Sequence, residues 1–305
     1  MRSYIPKISG RRTSVRMVFV AAFVVLALLL AACGSSSGTG SAPTPNPKTP
    51  TVTPPNDLIT HGVLTVGSDT TYPPQEYIDT TTNQAAGFDV DLITAVAQRM
   101  GLKAHVVTTG FDTIIDSLTA KRFDVVISAV SVTPERQKKV DFVPYFNAGE
   151  SLLVQAGNPK NIKALVDLCG QNVGVQDGTI EQADLQTANT NVCKKASKPA
   201  MNLTVLKNQT DVIQLLANNR VVATYQDSPV TDYYIKQHPG QFAVGGSVIN
   251  AGVEGIVVRK GDSSMFNAVQ MAFKQLKADG TYHTLITKWG LTNEQITMAD
   301  RQIIA

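Results

Sequence analysis

The sequence has few of the features that make enzymes and metalloproteins easy to recognise. No glycine is followed by lysine, which excludes a Walker A phosphate loop, and neither G-x-G-x-x-G nor His-Glu-x-x-His occurs. The four histidines, His61, His105, His238 and His283, stand singly and show no ligand spacing toward the cysteines, so no metal site is expected. No motif calls for a metal or nucleotide cofactor. Charged residues make up 17% of the 305 positions against 43% hydrophobic, a globular balance, neither disordered nor multispanning. The net charge of +3 does not point to nucleic acid. Arg2, Lys7, Arg11, Arg12 and Arg16 fall in residues 1–32, which hold no acid; removing these five from 27 leaves 22 basic against 24 acidic residues, a net −2.

Long apolar stretches are also scarce. One run, Met17 to Ala32, comes after the basic start and reads as an export signal. Its sixteen residues come close to the roughly 18 to 20 that span a bilayer. At its end, Leu30-Ala31-Ala32-Cys33 resembles the lipobox of bacterial lipoproteins. The resemblance implies a signal peptide over residues 1–32, cleavage before Cys33, a lipid on that cysteine, and an extracytoplasmic protein held at the cell membrane. No second apolar run of spanning length occurs beyond Cys33, which weakens a membrane receptor or channel subunit. Residues 33–57 are rich in Gly, Ser, Thr and Pro, with little to bury, and are expected to be a tether. The remaining cysteines, Cys169 and Cys193, form an even pair in an exported chain, so a disulfide is predicted. Its loop of about 25 residues is worth about 3 kcal/mol.

The rest of the chain alternates β-rich runs with helical spacing. Strands are expected at 62–67, 104–108 and 123–128, with helices at 89–100 and 112–120 between them. The pattern restarts with strands at 172–175, 203–206 and 221–225 and helices at 180–187 and 210–218, then closes on a helix over 262–277. This is an α/β chain of two units on a mostly parallel sheet. Asp89 and Asp91, two residues apart, face different sides of a helix and are expected to complement its N-terminal dipole.

One segment suggests binding chemistry. In Val125-Val-Ile-Ser128-Ala-Val-Ser131-Val-Thr133-Pro134-Glu135-Arg136, a strand ends and Thr133 and Pro134 open a helix, with Arg136 in its first turn. Open α/β sheets bind ligands at the carboxyl ends of their strands, where a helix N-terminus favours an anion. Ser128, Ser131 and Arg136 would there grip a carboxylate. The residues alone leave a second reading open, in which Arg136 begins a surface run and Thr133 is only a cap.

Several motifs in order, Gly67-Ser-Asp-Thr-Thr-Tyr-Pro-Pro74, Gly87-Phe-Asp-Val-Asp-Leu92, Ser128 to Arg136, Val173-Gly-Val-Gln-Asp-Gly-Thr179, Tyr225-Gln-Asp227, Asp279-Gly-Thr-Tyr282 and Lys288-Trp-Gly290, closely resemble the polar amino acid (family 3) solute-binding proteins of ABC importers. The resemblance covers residues 58–305 and implies a periplasmic-binding-protein type II clamp. One lobe would hold 58–149 plus 252–305 and the other 150–251, with two crossing strands near 148–150 and 251–252 as the hinge. It implies a monomer that binds an amino acid and delivers it to a membrane permease, with no enzymatic activity. Carried over by position, Arg136 holds the α-carboxylate with Ser131 and the backbone at Thr179, Asp227 holds the α-ammonium from the opposite lobe, and Ser128 is counted among the ligand-binding residues. Tyr72 and Phe111 sandwich the side chain, and Asp69 lies near its far end, a lean toward basic or amide ligands. Asp227 has a rival reading as a helix cap, and Phe111 as a hydrophobic staple. Ala129, Ile180 and Gln75 depart from the common pattern, which leaves the side-chain preference open. A periplasmic dehydratase of the same architecture, with Glu76 or Glu181 as acid, and a ligand-presenting partner of a sensor are the alternatives.

Overall fold

The computed structural model describes residues 50–291; the expected signal, Cys33 and residues 292–305 lie outside them. The chain opens with β1 (Val63–Ser68), a small antiparallel sheet of β2 (Thr71–Tyr72), β3 (Glu76–Asp79) and β4 (Gln84–Ala86), then α1 (Phe88–Arg99) and β5 (Lys103–Thr108). It continues through α2 (Ile114–Thr119), β6 (Val125–Val126), the single-turn α3 (Pro134–Gln137) and the sixteen-residue β7 (Val140–Gln155). Next come β8 (Asn172–Gln176), α4 (Ile180–Ala188), β9 (Asn202–Leu206), α5 (Gln209–Ala217), β10 (Ala223–Asp227) and α6 (Ser228–Gln237). The described part closes with β11 (Phe242–Val244), β12 (Ile249–Arg259), α7 (Ser263–Ala278) and α8 (Thr281–Trp289).

The main sheet runs β5-β1-β6-β12-β7-β10-β8-β9, with β11 also on β7. Its two ends are parallel, β1 with β5 and β6 and β8 with β9 and β10, while β7 runs antiparallel to β10 and β12. The sheet is therefore mixed, with a central antiparallel pair joining two parallel wings.

Most of the core divides with the sheet, while a smaller cluster joins Tyr72 and Ala129 to Leu153, Ile213 and Val230. One apolar cluster draws on residues 52–148 and 253–291, with Phe88, Leu92, Ile93, Val96 and Met100 of α1 against Val269, Phe273 and Leu276 of α7. These α1 positions repeat at helical spacing, and burying each such side chain contributes roughly 1.5–3 kcal/mol before entropy is counted. Another cluster draws on residues 152–225 and includes the bonded pair Cys169–Cys193, whose Cα atoms are 5.4 Å apart. We call these the terminal lobe and the inserted lobe. β7 passes between them: it pairs with β12 from Val140↔Arg259 to Glu150↔Ile249, with a register shift before the last pair, and from Glu150 onward with β10. At Gly149 a Cβ would come within 2.3 Å of Val248 Cγ1, so the changeover needs a residue without a side chain.

Four expectations are corrected. The strand expected over 123–128 pairs only at Val125–Val126, because the chain turns at Ala129, whose φ is +47°. The helix expected over 112–120 starts as a 3-10 turn, Phe111–Thr113, and becomes α-helical at Ile114. The tether expected through residue 57 is shorter: Val52 is only 8% exposed in the terminal core, and Thr51 and Val52 donate their N–H groups to Arg99 O. Asp89 sits in the first turn of α1 as expected, but it is fully buried and its carboxylate accepts hydrogen bonds from Tyr145 and Ala129. Among the described residues no helix is long and apolar enough to cross a membrane.

Candidate functional site

The two lobes meet over a cavity lined by Tyr72, Phe111, Ser128, Ala129, Ser131 and Arg136 from the terminal lobe and by Gln176, Thr179, Ile180, Glu181 and Asp227 from the inserted lobe. Each lining segment leaves the carboxyl end of a parallel strand or opens a helix. β6 feeds Ser128 and Ser131, β8 feeds Gln176 and Thr179, and β10 ends on Asp227. Thr133 caps α3 by accepting the Arg136 N–H at 3.2 Å, and Thr179 caps α4 by accepting the Gln182 N–H at 3.2 Å. α3 is a single turn, and its Arg136 N–H is taken by the cap, so the cation offered there is the guanidinium itself.

That guanidinium spans the cleft. Arg136 donates from Nη1 to Ser131 O at 2.9 Å and from Nη2 to Gly178 O of the inserted lobe at 3.2 Å. Its Cζ lies 5.5 Å from the centre of the Phe111 ring, so Phe111 steadies the cation from one face. Burial pulls the guanidinium below its ordinary value, while Glu181 and Asp227 hold it up. The reading of Arg136 as the start of a surface run is excluded by this placement.

Asp227 occupies the cap position of α6, yet its side chain makes no capping bond. Instead Oδ2 accepts from the Tyr72 hydroxyl at 2.8 Å, and the Asp227 N–H donates to that hydroxyl at 3.0 Å. The rival reading as a plain helix cap therefore fails. Burial raises the Asp227 carboxyl to about 6, against the lowering effect of Tyr72 and Arg136. Other contacts close the lobes on each other: Gln176 Nε2 donates to Asp69 Oδ2, Gln209 N donates to Thr71 Oγ1 at 3.1 Å, and Lys207 pairs with Asp112. The cavity left between them has a volume of about 10 Å³, room for one water at most.

Two expected site residues are placed differently from the expectation. Asp69 is 2% exposed but does not line the cavity; Thr71 Oγ1 and Gln176 Nε2 occupy its carboxylate. Burial raises Asp69 to about 6. Ser128 lines the cavity, but its hydroxyl accepts the Asp69 N–H and donates to Glu76 Oε1, both at 2.9 Å. Behind it lies a buried acid network in the terminal lobe. Asp89 Oδ2 accepts from the Tyr145 hydroxyl at 2.6 Å and from the Ala129 N–H at 3.1 Å, and Glu254 Oε2 accepts from Gln75 and lies 3.3 Å from the Tyr145 hydroxyl oxygen. Burial is the main cause that raises Asp89 to about 7 and Glu76 and Glu254 well above the carboxylate range. Glu76 is not part of the cavity wall. Gln176 leaves no signal of its own in the sequence beyond its place in the Val173-to-Thr179 motif.

Arg136 and Asp227 thus bring a cation and an anion to one cavity from opposite lobes. The sequence pattern of the bacterial extracellular solute-binding proteins, family 3, matches residues 64–292. The chain belongs to that family. An L-cystine-binding protein of Escherichia coli is 31% identical over 235 residues, 77% of this chain and 85% of that protein. A solved structure of an ancestral arginine-binding protein bound to arginine is 36% identical with a TM-score of 0.69, covering 75% of this chain and 98% of that one. An ancestral amino acid-binding protein, described as a precursor of cyclohexadienyl dehydratase, is 37% identical with a TM-score of 0.66, over 75% and 95% of the two chains. The solute-binding protein is thus a type II, two-lobed member of its family, in line with the resemblance seen in its motifs.

Proposed function

We propose that this solute-binding protein captures an amino acid outside the cytoplasm and delivers it to the permease of an ABC importer, without transforming it. The observation that carries the proposal is that Arg136 and Asp227 reach one buried cavity from opposite lobes. A zwitterion satisfies both only when the lobes are closed, so closure is coupled to ligand. Arg136 takes the α-carboxylate with Ser131, Ser128 and Thr179, Asp227 takes the α-ammonium, and Tyr72 and Phe111 flank the side chain. Gly178 O, Ser131 O and the Tyr72 hydroxyl occupy these charged groups in the closed form, and the ligand exchanges with those contacts. A cavity of about 10 Å³ admits no amino acid, so entry requires the lobes to part. We assign the lobes to 58–149 plus 252–305 and to 150–251, turning about 148–150 and 251–252, in a monomer anchored through a lipid on Cys33.

The relatives named above bind cystine or arginine by their descriptions, which supports an amino acid ligand with a polar side chain. The neighbour described as a dehydratase precursor is itself an amino acid-binding protein, which favours binding over turnover. The test is a thermal-shift screen of the purified chain against the twenty amino acids, then calorimetry on the hits and a turnover assay with cyclic amino acid precursors. Ligand at 100 times Kd adds about 2.7 kcal/mol of stability. Arg136→Ala, losing two charge-assisted bonds worth about 1.5–3 kcal/mol each, should weaken binding at least about 100-fold. Retained affinity in that variant would refute the clamp.

A further inference from the structure

We infer that Glu181, and not Asp69, is the acid that selects the ligand side chain, so that the cleft is built for an α-amino acid bearing a second positive charge. The inference rests on the amino acid reading above. Glu181 lies in the first turn of α4, is 2% exposed, and lines the cavity beside Arg136 and Asp227. Its Oε1 is buried without a hydrogen-bond partner. Neighbouring acids have donors: Asp69 has Thr71 and Gln176, Asp227 has Tyr72, and Glu150 has Tyr225 and Asn250. Of the two lining acids, Glu181 is the one with a buried oxygen left without a donor.

Charge balance gives the ligand class. The α-carboxylate cancels Arg136 and the α-ammonium cancels Asp227, and the charge of Glu181 is left over in a space from which closure expels water. A cation on the ligand side chain cancels it. A neutral side chain leaves Glu181 either charged and unpaired, which is costly at this depth, or protonated. The groups that act on it are Asp227 from β10, Glu150 from β7, Arg136 from α3, and the hydroxyls of Tyr72 and Tyr225. Burial, reinforced by Asp227 and Glu150, raises the carboxyl well above its ordinary range, with Arg136 opposing. Without a cation its charged form is therefore disfavoured. Discrimination between cationic and neutral ligands must then widen as pH rises.

Calorimetry on the purified full chain with L-arginine and its neutral isostere L-citrulline, at pH 6 and pH 8, tests this. Wild type should bind arginine at least about 30-fold more tightly than citrulline at pH 8, the worth of one charged hydrogen bond, and by a smaller ratio at pH 6. Glu181→Gln should bring the ratio below about fivefold by weakening arginine, while retained citrulline binding shows that the variant is folded. An unchanged ratio in that variant overturns the inference, as does a ratio that collapses in Asp69→Asn and not in Glu181→Gln. Loss of both ligands in a Glu181→Gln chain that melts like wild type makes Glu181 structural and also overturns it. Wild-type binding of neutral amino acids or L-cystine in preference to arginine and lysine refutes this inference alone. Binding of no amino acid refutes the function proposed above.

Discussion

The two lobes bury their acids in opposite ways. In the terminal lobe Glu76, Asp89 and Glu254 lie behind the cavity wall, and each accepts from a donor of its own lobe: Ser128, Tyr145 and the Ala129 N–H, and Gln75; Asp69 beside them accepts from Thr71 and, across the cleft, from Gln176. In the inserted lobe Asp227 and Glu181 line the cavity itself. Asp227 is bonded only across the cleft, through Tyr72, and Glu181 keeps an open oxygen, as Glu76, Asp89 and Glu254 each do behind the wall. A buried carboxyl whose partners belong to its own lobe stabilises that lobe in every state of the clamp. A carboxyl facing the cavity finds its partner only on closure. The difference separates scaffold from site: the terminal network fixes the wall that carries Ser128 and Ala129, and the acids of the inserted lobe respond to what enters.

The most severe way to test this contrast is to break the scaffold. Asp89→Ala leaves the fully buried Tyr145 hydroxyl and the Ala129 N–H short of an acceptor. Removing one partner from such a network costs about 3 kcal/mol. Asp89→Asn, which keeps an acceptor and cannot ionise, should cost less than about 1 kcal/mol. Denaturant melts measure both. The affinity of folded Asp89→Ala for its ligand should stay within about fivefold of wild type, in contrast to the effect of Arg136→Ala. Equal losses of stability in the Ala and Asn variants, or a Glu181→Gln variant as unstable as Asp89→Ala, would erase the distinction between the lobes.

How far the sequence exposed these features depends on the kind of signal each residue leaves. The α/β alternation was legible because apolar spacing along α1 and α7 keeps the helical period, and both helices stand within a residue of the expected ends. The cysteine pair was legible from compartment and parity, and Cys169 and Cys193 are bonded. Arg136, Ser131, Thr179, Tyr72 and Phe111 were reached through motifs, and the structure gathers them with Asp227 at one cavity. Burial of single carboxylates was not legible: Asp89 reads as a helix-start acid, and only the fold brings Tyr145, 56 positions away, to its side. The resemblance set Asp69 near the ligand and named Glu181 only as an acid for the dehydratase alternative, whereas the fold puts Glu181 on the cavity wall and gives Asp69 to Thr71 and Gln176. The hairpin of β2 to β4 was missed because its strands are two to four residues long, too short for a period to show.

A smaller effect tests the closure on which the contrast depends. Gly178 has φ of +79°, its carbonyl accepts from Arg136, and a Cβ there would approach Asp112 Cα of the opposite lobe to 2.8 Å. Gly178→Ala therefore meets both a strained backbone and a rigid contact that exists only when the lobes are shut. Ligand affinity should fall roughly 30-fold, about 2 kcal/mol, while the ligand-free protein loses about 1–2 kcal/mol of stability, because the open form escapes the clash and keeps the backbone strain. Small-angle scattering should show the variant remaining extended at saturating ligand. Full compaction with native affinity would mean that the approach of Gly178 to Asp112 plays no part in binding.

The mildest test is pH, and there the two sets of acids act in opposite directions. Burial raises Asp69 to about 6 and Asp89 to about 7 from an ordinary 3.8. Between about pH 4 and pH 7 the folded protein holds protons that the unfolded chain has released, so stability declines as pH rises through that window. The melting temperature of the ligand-free protein should be higher at pH 5 than at pH 8, by at least about 1 kcal/mol in free energy, and Asp89→Asn should flatten the slope. Ligand binding runs the other way. The α-ammonium requires Asp227 charged, and Asp227 is also raised to about 6, so capture expels a proton at acid pH and affinity rises through pH 6 to a plateau. Calorimetry in buffers of different ionisation enthalpy should detect proton release at pH 5.5, falling toward zero for a neutral ligand at pH 8. Proton uptake on binding at pH 5.5 would show that the ligand does not meet Asp227 as a cation, and the division between scaffold acids and site acids would have to be redrawn around Glu181 alone.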